Sequence, residues 1–483
     1  MSNTFNIDDT TWNDLNMDEV LKRLDCCSSS VGKEYLKSSL MQLKLHEDIL
    51  IERSAKSDCL DGNSALKKSI SRIFKDLGIV KKVSFRDYIF RLSEVKRQSN
   101  AIHYILILLL LAVIALIFIK PVIGIIGLVV MFAVNISTYF AFKGKIEGYF
   151  QCIKYLCGMI ICAGKLSNLK LEGTPFEGDS IRLKELYRKF AGVKRGSWLI
   201  TNSVSGSLVD VIMEYVRMLF HVDLIKFNNC LKTAMDNSTE IDELYTLLGE
   251  TELALCISGF RSQSTIYCKP SFAPGRSIGF KGLYHPLVKK PVSNSLETDS
   301  SILLTGSNAS GKSTFLKSIA INQIFAQTIY TCLAEEMSTC FYKVISSMAL
   351  NDNILNNESY FVVEVKSLKR ILDEVEDNTP VMCFVDEVLR GTNTKERIAA
   401  STVILKYLAD SNTLTFAATH DIELTLLLAE HMTNYHFSET VTDTVEFDYK
   451  LKEGPSTSRN AIKLLDMYGF DKNIVAEAER LAE

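Results

Sequence analysis

Apolar residues fall along this chain in three regimes. Between Val20 and Leu60, residues such as Leu21, Leu24, Val31, Tyr35, Leu36, Leu40, Leu43 and Ile49 recur at mixed three- and four-residue spacing. That is the period of helices that bury one face. Inside this stretch DCCSSSVGKEYL offers Asp25 or one of Ser28–Ser30 as the cap of a helix beginning near Val31. Residues 63–100 continue as helix broken by polar turns and end basic, at Arg86, Arg91, Lys96 and Arg97. Residues 1–20 lack the period and read as a polar, disordered lead whose acidic start predicts no cleavable signal peptide.

The second regime is abrupt. Ala101 to Phe142 carries one charge, Lys120, followed at once by Pro121. Its first half, AIHYILILLLLAVIALIFI, just covers a hydrocarbon core of roughly 30 Å at about 1.5 Å per residue; its second half covers it comfortably. Lys120-Pro121 supplies the reversal, so the pair predicts a transmembrane hairpin. Arg91, Lys96 and Arg97 precede it and Lys143 and Lys145 follow, which puts both termini on the cytoplasmic side. A buried helical hairpin inside a soluble core is the competing reading.

The third regime begins as helix and ends as alternation. Ile146, Phe150, Ile153 and Cys157 make one stripe; Leu208, Ile212, Val216 and Leu219 make another, running on to Phe227 and Leu231. Both are expected to be core. Loops fall at 173–178 and around 270–282. From Ser301 onward short apolar runs alternate with helical stretches, the pattern of an α/β sheet with helices around it.

Composition adds limits. With 483 residues there is material for several domains, and a formal net charge of −3 gives no global basic field to draw in nucleic acid. The 12 cysteines are scattered without a C-x-x-C pair or histidines at metal spacing, so free thiols in a reducing compartment are expected.

The chemistry sits at the ends of the apolar runs. ILLTGSNASGKSTFLKSI reads as strand, loop, helix, and its loop fits G-x-x-x-x-G-K-[ST] as Gly306, Ser307, Asn308, Ala309, Ser310, Gly311, Lys312 and Ser313, with Thr314 following. Small residues let such a loop turn its N–H groups inward on anionic oxygens, and the following helix adds its positive end. Lys312 is expected on the β- and γ-phosphates of ATP, and the Ser313 hydroxyl on Mg²⁺. VMCFVDE places Asp386 at a strand tip to hold the same Mg²⁺, and Glu387 beside the attacking water. LTFAATH ends a third strand in His420, positioned for the γ-phosphate.

Taken in order, GSNASGKSTFLKSIA, ESYFVVE (358–364), VDEVLRGTNTKE (385–396) and ATHDIEL (418–424) resemble the ATPase domain of the MutS family, of the ABC class. The RGTNT segment after the acidic pair is the most distinguishing. SRNAIKLLDMYGFDKNIVAEAERL resembles the family's closing helical segment; SSSVGKEYLKSSL and DELYTLLGETELALCIS resemble the two ends of its core more weakly. The resemblance implies that Ser359 reaches across a homodimer to the γ-phosphate held by the other subunit, and that Asn393 faces the partner. Two residues depart from the pattern: Leu389 stands where the family usually has glycine, and Tyr360 where it has threonine.

The expected architecture is therefore a C-terminal α/β P-loop ATPase domain of ABC/MutS type over 281–483, behind an all-α core and lever region. That region divides into a MutS-core-like part at 1–100, the hairpin at 101–142 and a lever at 143–280. Core-like residues begin within the first 30, no Phe-x-Glu reader precedes them, and the hairpin occupies the place of the family's DNA clamp. The expected function is a dimeric, membrane-anchored ATPase coupling ATP-driven closure to DNA or an unknown protein partner, with family-type recognition of mismatched or branched DNA weakened. An ABC-type transport ATPase and a scaffold without DNA binding stay open.

Overall fold

The structure is a computed structural model, which describes residues 4–80, 99–194, 208–307, 310–348, 360–376, 378–389, 392–441, 445–456 and 469–482. The chain forms two compact units. One comprises Met1–Asp25, Lys37–Ser54 and Ile257–Glu483; the other comprises Cys26–Leu36 and Ala55–Cys256.

Among the described residues, the first unit holds twelve strands. They are β1 (Thr4–Asn6), β2 (Gln42–Lys44), β3 (Ser271–Phe272), β4 (Ile278–Leu283), β5 (Asn294–Thr298), β6 (Ile302–Thr305), β7 (Glu336–Thr339), β8 (Lys343–Ser347), β9 (Val381–Asp386), β10 (Thr413–Ala418), β11 (Thr433–Val441) and β12 (Val445–Glu453). Six make the main sheet in the order β12-β11-β6-β10-β9-β8. All neighbours in it pair parallel except β11 and β12. Parallel strands are buried on both faces, which is why β6, β9 and β10 are continuous apolar runs rather than alternating ones. Phe384 and Phe416 stack across β9 and β10 with ring centroids 5.4 Å apart. A second sheet, in the order β3-β7-β4-β5, belongs to the same unit.

From Ser318 onward the Lys312–Ile329 helix is buried all round and carries unusually polar residues for such a place. Each amide finds backbone partners: Gln323 Nε2 donates to the Cys340 carbonyl at 2.9 Å, and Gln327 Nε2 to the Lys44 and Tyr342 carbonyls at 3.0 Å. Satisfied in this way, they fix the helix against the end of β2 and the turn between β7 and β8.

Residues 4–20 are not a disordered lead. β1 pairs antiparallel with β2, and helices follow at Asp9–Asp14 and Met17–Leu24. Trp12, Leu15, Met17 and Val20 are buried, and the buried Asp14 accepts hydrogen bonds from Ser346 Oγ (2.7 Å) and Met348 N (2.9 Å) beside edge strand β8. The acidity that reads as solvation is used for capping and edge pairing.

The second unit is helical. The Ala101–Ile119 helix turns at Lys120 into a single helix, Pro121–Leu166, with proline in its first turn as the fixed φ favours. Gly124 permits the close return, since a Cβ there would lie 2.6 Å from the Ile117 Cα. Both apolar stretches are long enough to cross a membrane, and only 11% and 17% of their best windows are buried. Beyond them the same helix becomes core, with Ile153, Cys157 and Ile160 fully buried among Phe227, Leu231 and Leu244. At the start of the Ser30–Met41 helix, Ser29 supplies the predicted cap, its Oγ accepting from Gly32 N at 3.0 Å. The 208–219 stripe is only partly the core its spacing predicts: the Leu208 side chain lies outside the described residues, and Val216 and Leu219 are half-buried. Ile212 is 54% exposed on the Leu208–Phe220 helix, beside exposed Val211 and Tyr215. Only the continuation through Phe227 and Leu231 is buried.

Candidate active site

Four strand ends converge on one place. β6 runs into Gly306, whose φ of +141° suits only glycine; a Cβ there would meet the Phe437 carbonyl oxygen at 2.7 Å. Gly311, also left-handed at φ +101°, closes the loop onto the Lys312–Ile329 helix. Lys312 is buried, and its Nζ donates to the Gly306 and Ser307 carbonyls at 2.5 and 2.8 Å. The ammonium therefore points back over the loop mouth. Asn308 and Ala309 lie outside the described residues; Ser310 closes the loop by donating from Oγ to the Ser307 carbonyl at 2.8 Å.

Asp386 ends β9, in register with Ala418 of β10, which in turn pairs with β6. That register brings its carboxylate to the Ser313 hydroxyl, which donates to it. A hydroxyl and a carboxylate are the hard oxygen ligands Mg²⁺ takes, so this pair fits the ion expected there. Lys317, one turn further along the helix, is half-buried; burial lowers its pKa, and the charges of Asp14 and Asp386 oppose the fall.

Glu387 follows in the left-handed region at φ +57°, with its N–H tied to the Ala418 carbonyl at 2.8 Å. Its Oε2 lies 3.5 Å from Nδ1 of His420, which is about half exposed at the tip of β10. The other imidazole nitrogen lies 3.7 Å from Asp421, and Asp421 is clamped by Arg397 through two hydrogen bonds of 2.7 and 2.9 Å. The structure thus brings together Lys312, Ser313, Asp386, Glu387 and His420. Thr314 lines the adjacent cleft. Ser359 lies outside the described residues. Asn393 caps the Thr394–Asp410 helix, its side chain accepting from Glu396 N at 3.0 Å.

Several residues at the site escape a reading by motif. Arg397 and Asp421 are one; a basic residue one turn into a helix and an acid after the strand-end histidine were the available signal. Glu439 of β11 is another, accepting a hydrogen bond from the P-loop Ser307 hydroxyl. A cleft of about 420 Å³ opens beside the loop, lined in part by His285, Val292, Thr314, Phe437 and Tyr449. Its aromatic and aliphatic walls suit a planar base. Burial holds His285 neutral, with its pKa lowered to about 4 and Lys317 adding to the fall; Nδ1 accepts from Leu287 N at 3.1 Å.

Comparison with known proteins decides the lineage of this arrangement. Residues 302–483 match the family model of MutS domain V. These residues form a MutS-type domain. The chain is 29% identical over 268 residues to the DNA mismatch repair protein MutS of Natronomonas pharaonis, covering 53% of this chain and 31% of that protein. It is 28% identical over 309 residues to MutS protein homolog 4 of Homo sapiens, covering 58% and 32%, and 30% identical over 223 residues to MutS of Thermus aquaticus, covering 45% and 27%. The matches span about a third of each of these relatives. Within this MutS-type domain, Leu389, which the resemblance sets where glycine is expected, has φ +58° and is nonetheless buried, 5% exposed.

Proposed function

We propose that this MutS-like chain binds Mg-ATP at Gly306–Thr314 and hydrolyses it as a homodimer. The observation that carries the reading is the meeting of Lys312, the Ser313–Asp386 pair and the Glu387–His420 pair at the ends of adjacent parallel strands. The Lys312 ammonium, now held by loop carbonyls, exchanges them for phosphate oxygens. Ser313 and Asp386 would hold Mg²⁺, which supplies charge neutralisation on the phosphates. Glu387 accepts a proton from water as the water oxygen bonds to the terminal phosphorus and the bond to the bridging oxygen breaks, leaving ADP and phosphate. His420 lies against Glu387 and keeps a donor at the open side of the site. Ser359 from the second subunit completes the site, so turnover depends on dimerisation.

The apolar hairpin anchors the chain in a membrane with both termini in the cytoplasm, and ATP-driven closure acts on DNA or on a protein partner near that surface. The mismatch repair relatives support the DNA branch, including mismatched or branched substrates. Lys312→Ala and Glu387→Gln are both expected to abolish turnover, the first by weakening ATP binding and the second by trapping an ATP-bound dimer. ATPase rates in both variants equal to the parent's would overturn the assignment. A DNA complex should weaken steeply with rising salt; no retention of duplex or branched DNA at low salt removes that branch.

A further inference from the structure

We propose that a third element, the Leu208–Phe220 helix, enters the lipid beside the hairpin, with Val211, Ile212 and Tyr215 against acyl chains. The inference rests on the membrane reading of the hairpin and extends it. Three observations carry it.

The first is position. The helix packs against both helices of the hairpin. At its end the Leu219 carbonyl accepts from Asn135 Nδ2 at 3.1 Å, and Asn135 lies roughly 13 Å inside the end of the apolar Pro121–Gly144 stretch at about 1.5 Å per residue. Whatever depth the hairpin reaches at Asn135, this helix reaches too. Leu110, two turns beyond His103 on the first hairpin helix, is only 1% exposed, although two helices alone leave both flanks of each other open.

The second is the direction of the polar groups. His103, Asn135 and Tyr139, polar residues of the hairpin, are buried. His103 Nδ1 stands 2.8 Å from His221 Nδ1; His221 Nε2 stands 3.0 Å from the Asn135 carbonyl; Tyr139 Oη donates to Asp223 at 2.8 Å. His221, at φ +49°, is the corner immediately after the helix, and its N–H donates to the Arg217 carbonyl at 2.8 Å. A helix end at membrane depth needs its carbonyls satisfied from within the protein, and those of Arg217 and Leu219 are.

The third is the outward face. Val211, Ile212 and Tyr215 are 50, 54 and 58% exposed, while Glu214 and Arg217 are half-buried. A helix facing water would carry the opposite distribution. Bilayer lipid is the occupant that suits this face, because it continues the exposed apolar surface of the hairpin itself.

The test is tryptophan quenching in the full chain, reconstituted into phosphatidylcholine vesicles with or without dibrominated acyl chains. Leu108→Trp probes the hairpin, where Leu108 is 65% exposed, and Tyr215→Trp and Val211→Trp probe the helix. The parent chain, with its native Trp12 and Trp198, sets the background. The added signal at 211 and 215 should be lost to brominated lipid to the same degree as that at 108. Quenching at 108 without quenching at 211 and 215 overturns this inference and leaves the hairpin reading standing. Absence of quenching at 108 overturns the membrane reading and the inference with it.

Discussion

Leu389 offers the sharpest test of how this site departs from its family. The residue sits two positions after Glu387 at φ +58°, a conformation in which an L side chain costs roughly 1–2 kcal/mol. It is also 5% exposed and packed in the core cluster with Val385, Val388 and Leu405. Replacing it by glycine relieves the backbone but removes a buried leucine, a loss of about 2–5 kcal/mol including the cavity. Glycine also gains unfolded-chain entropy, about 0.5–1 kcal/mol against folding. Burial wins, so Leu389→Gly is expected to destabilise the chain by about 1–4 kcal/mol despite restoring the usual residue. Leu389→Ala separates the terms, because alanine loses the packing and keeps the strain. It should be no more stable than the glycine variant. Urea denaturation of the purified chain, followed by tryptophan fluorescence and far-UV dichroism, reads both. A glycine variant as stable as the parent would refute the reasoning, showing that strain and not packing dominates at this position.

Other expectations follow from the same geometry. Gly306→Ala places a Cβ against the Phe437 carbonyl oxygen at 2.7 Å in a left-handed backbone, so nucleotide binding should fall by tenfold or more, on the order of the 1–3 kcal/mol such strain costs; equilibrium binding of a fluorescent ATP analogue checks it. His285, lowered from 6.5 to about 4 by burial, binds fewer protons folded than unfolded, so its neutral state loses stability as pH falls below about 6.5 and the loss levels off below about 4. At pH 5 the loss is about 2 kcal/mol, and His285→Asn should flatten the denaturation midpoint across that window. Arg397→Gln frees Asp421 to turn toward His420; kcat should drop by about tenfold or more with little change in KM for ATP, and a KM effect alone would refute a positioning role.

What was legible in the sequence was legible because the physics is local. A glycine at φ +101° followed by lysine and serine at a helix start, and acids at the ends of fully apolar runs, need no distant information to be recognised. Pairing order and register then bring Ser313 and Asp386 together, and sequence spacing alone carries neither. Residues 4–20 show the converse. Trp12, Leu15 and Met17 are buried where Asp14 meets edge strand β8 and Asp8 meets Arg370 of the Tyr360–Asp373 helix, both more than three hundred residues away, which makes an acidic stretch adhesive. The 208–219 stripe falls short for a related reason. A helical period marks one apolar face but does not say whether protein or lipid covers it, and the helix turns its apolar residues outward at 211, 212 and 215 while its corner at His221 binds the hairpin's buried polar groups. The distinction rests on which residues of the hairpin need hydrogen-bond partners. His103 and Asn135 were each visible as isolated polar residues in an apolar run. Their partners come from a helix more than eighty residues later, so the hairpin is completed by a segment that its own hydropathy gives no means to find.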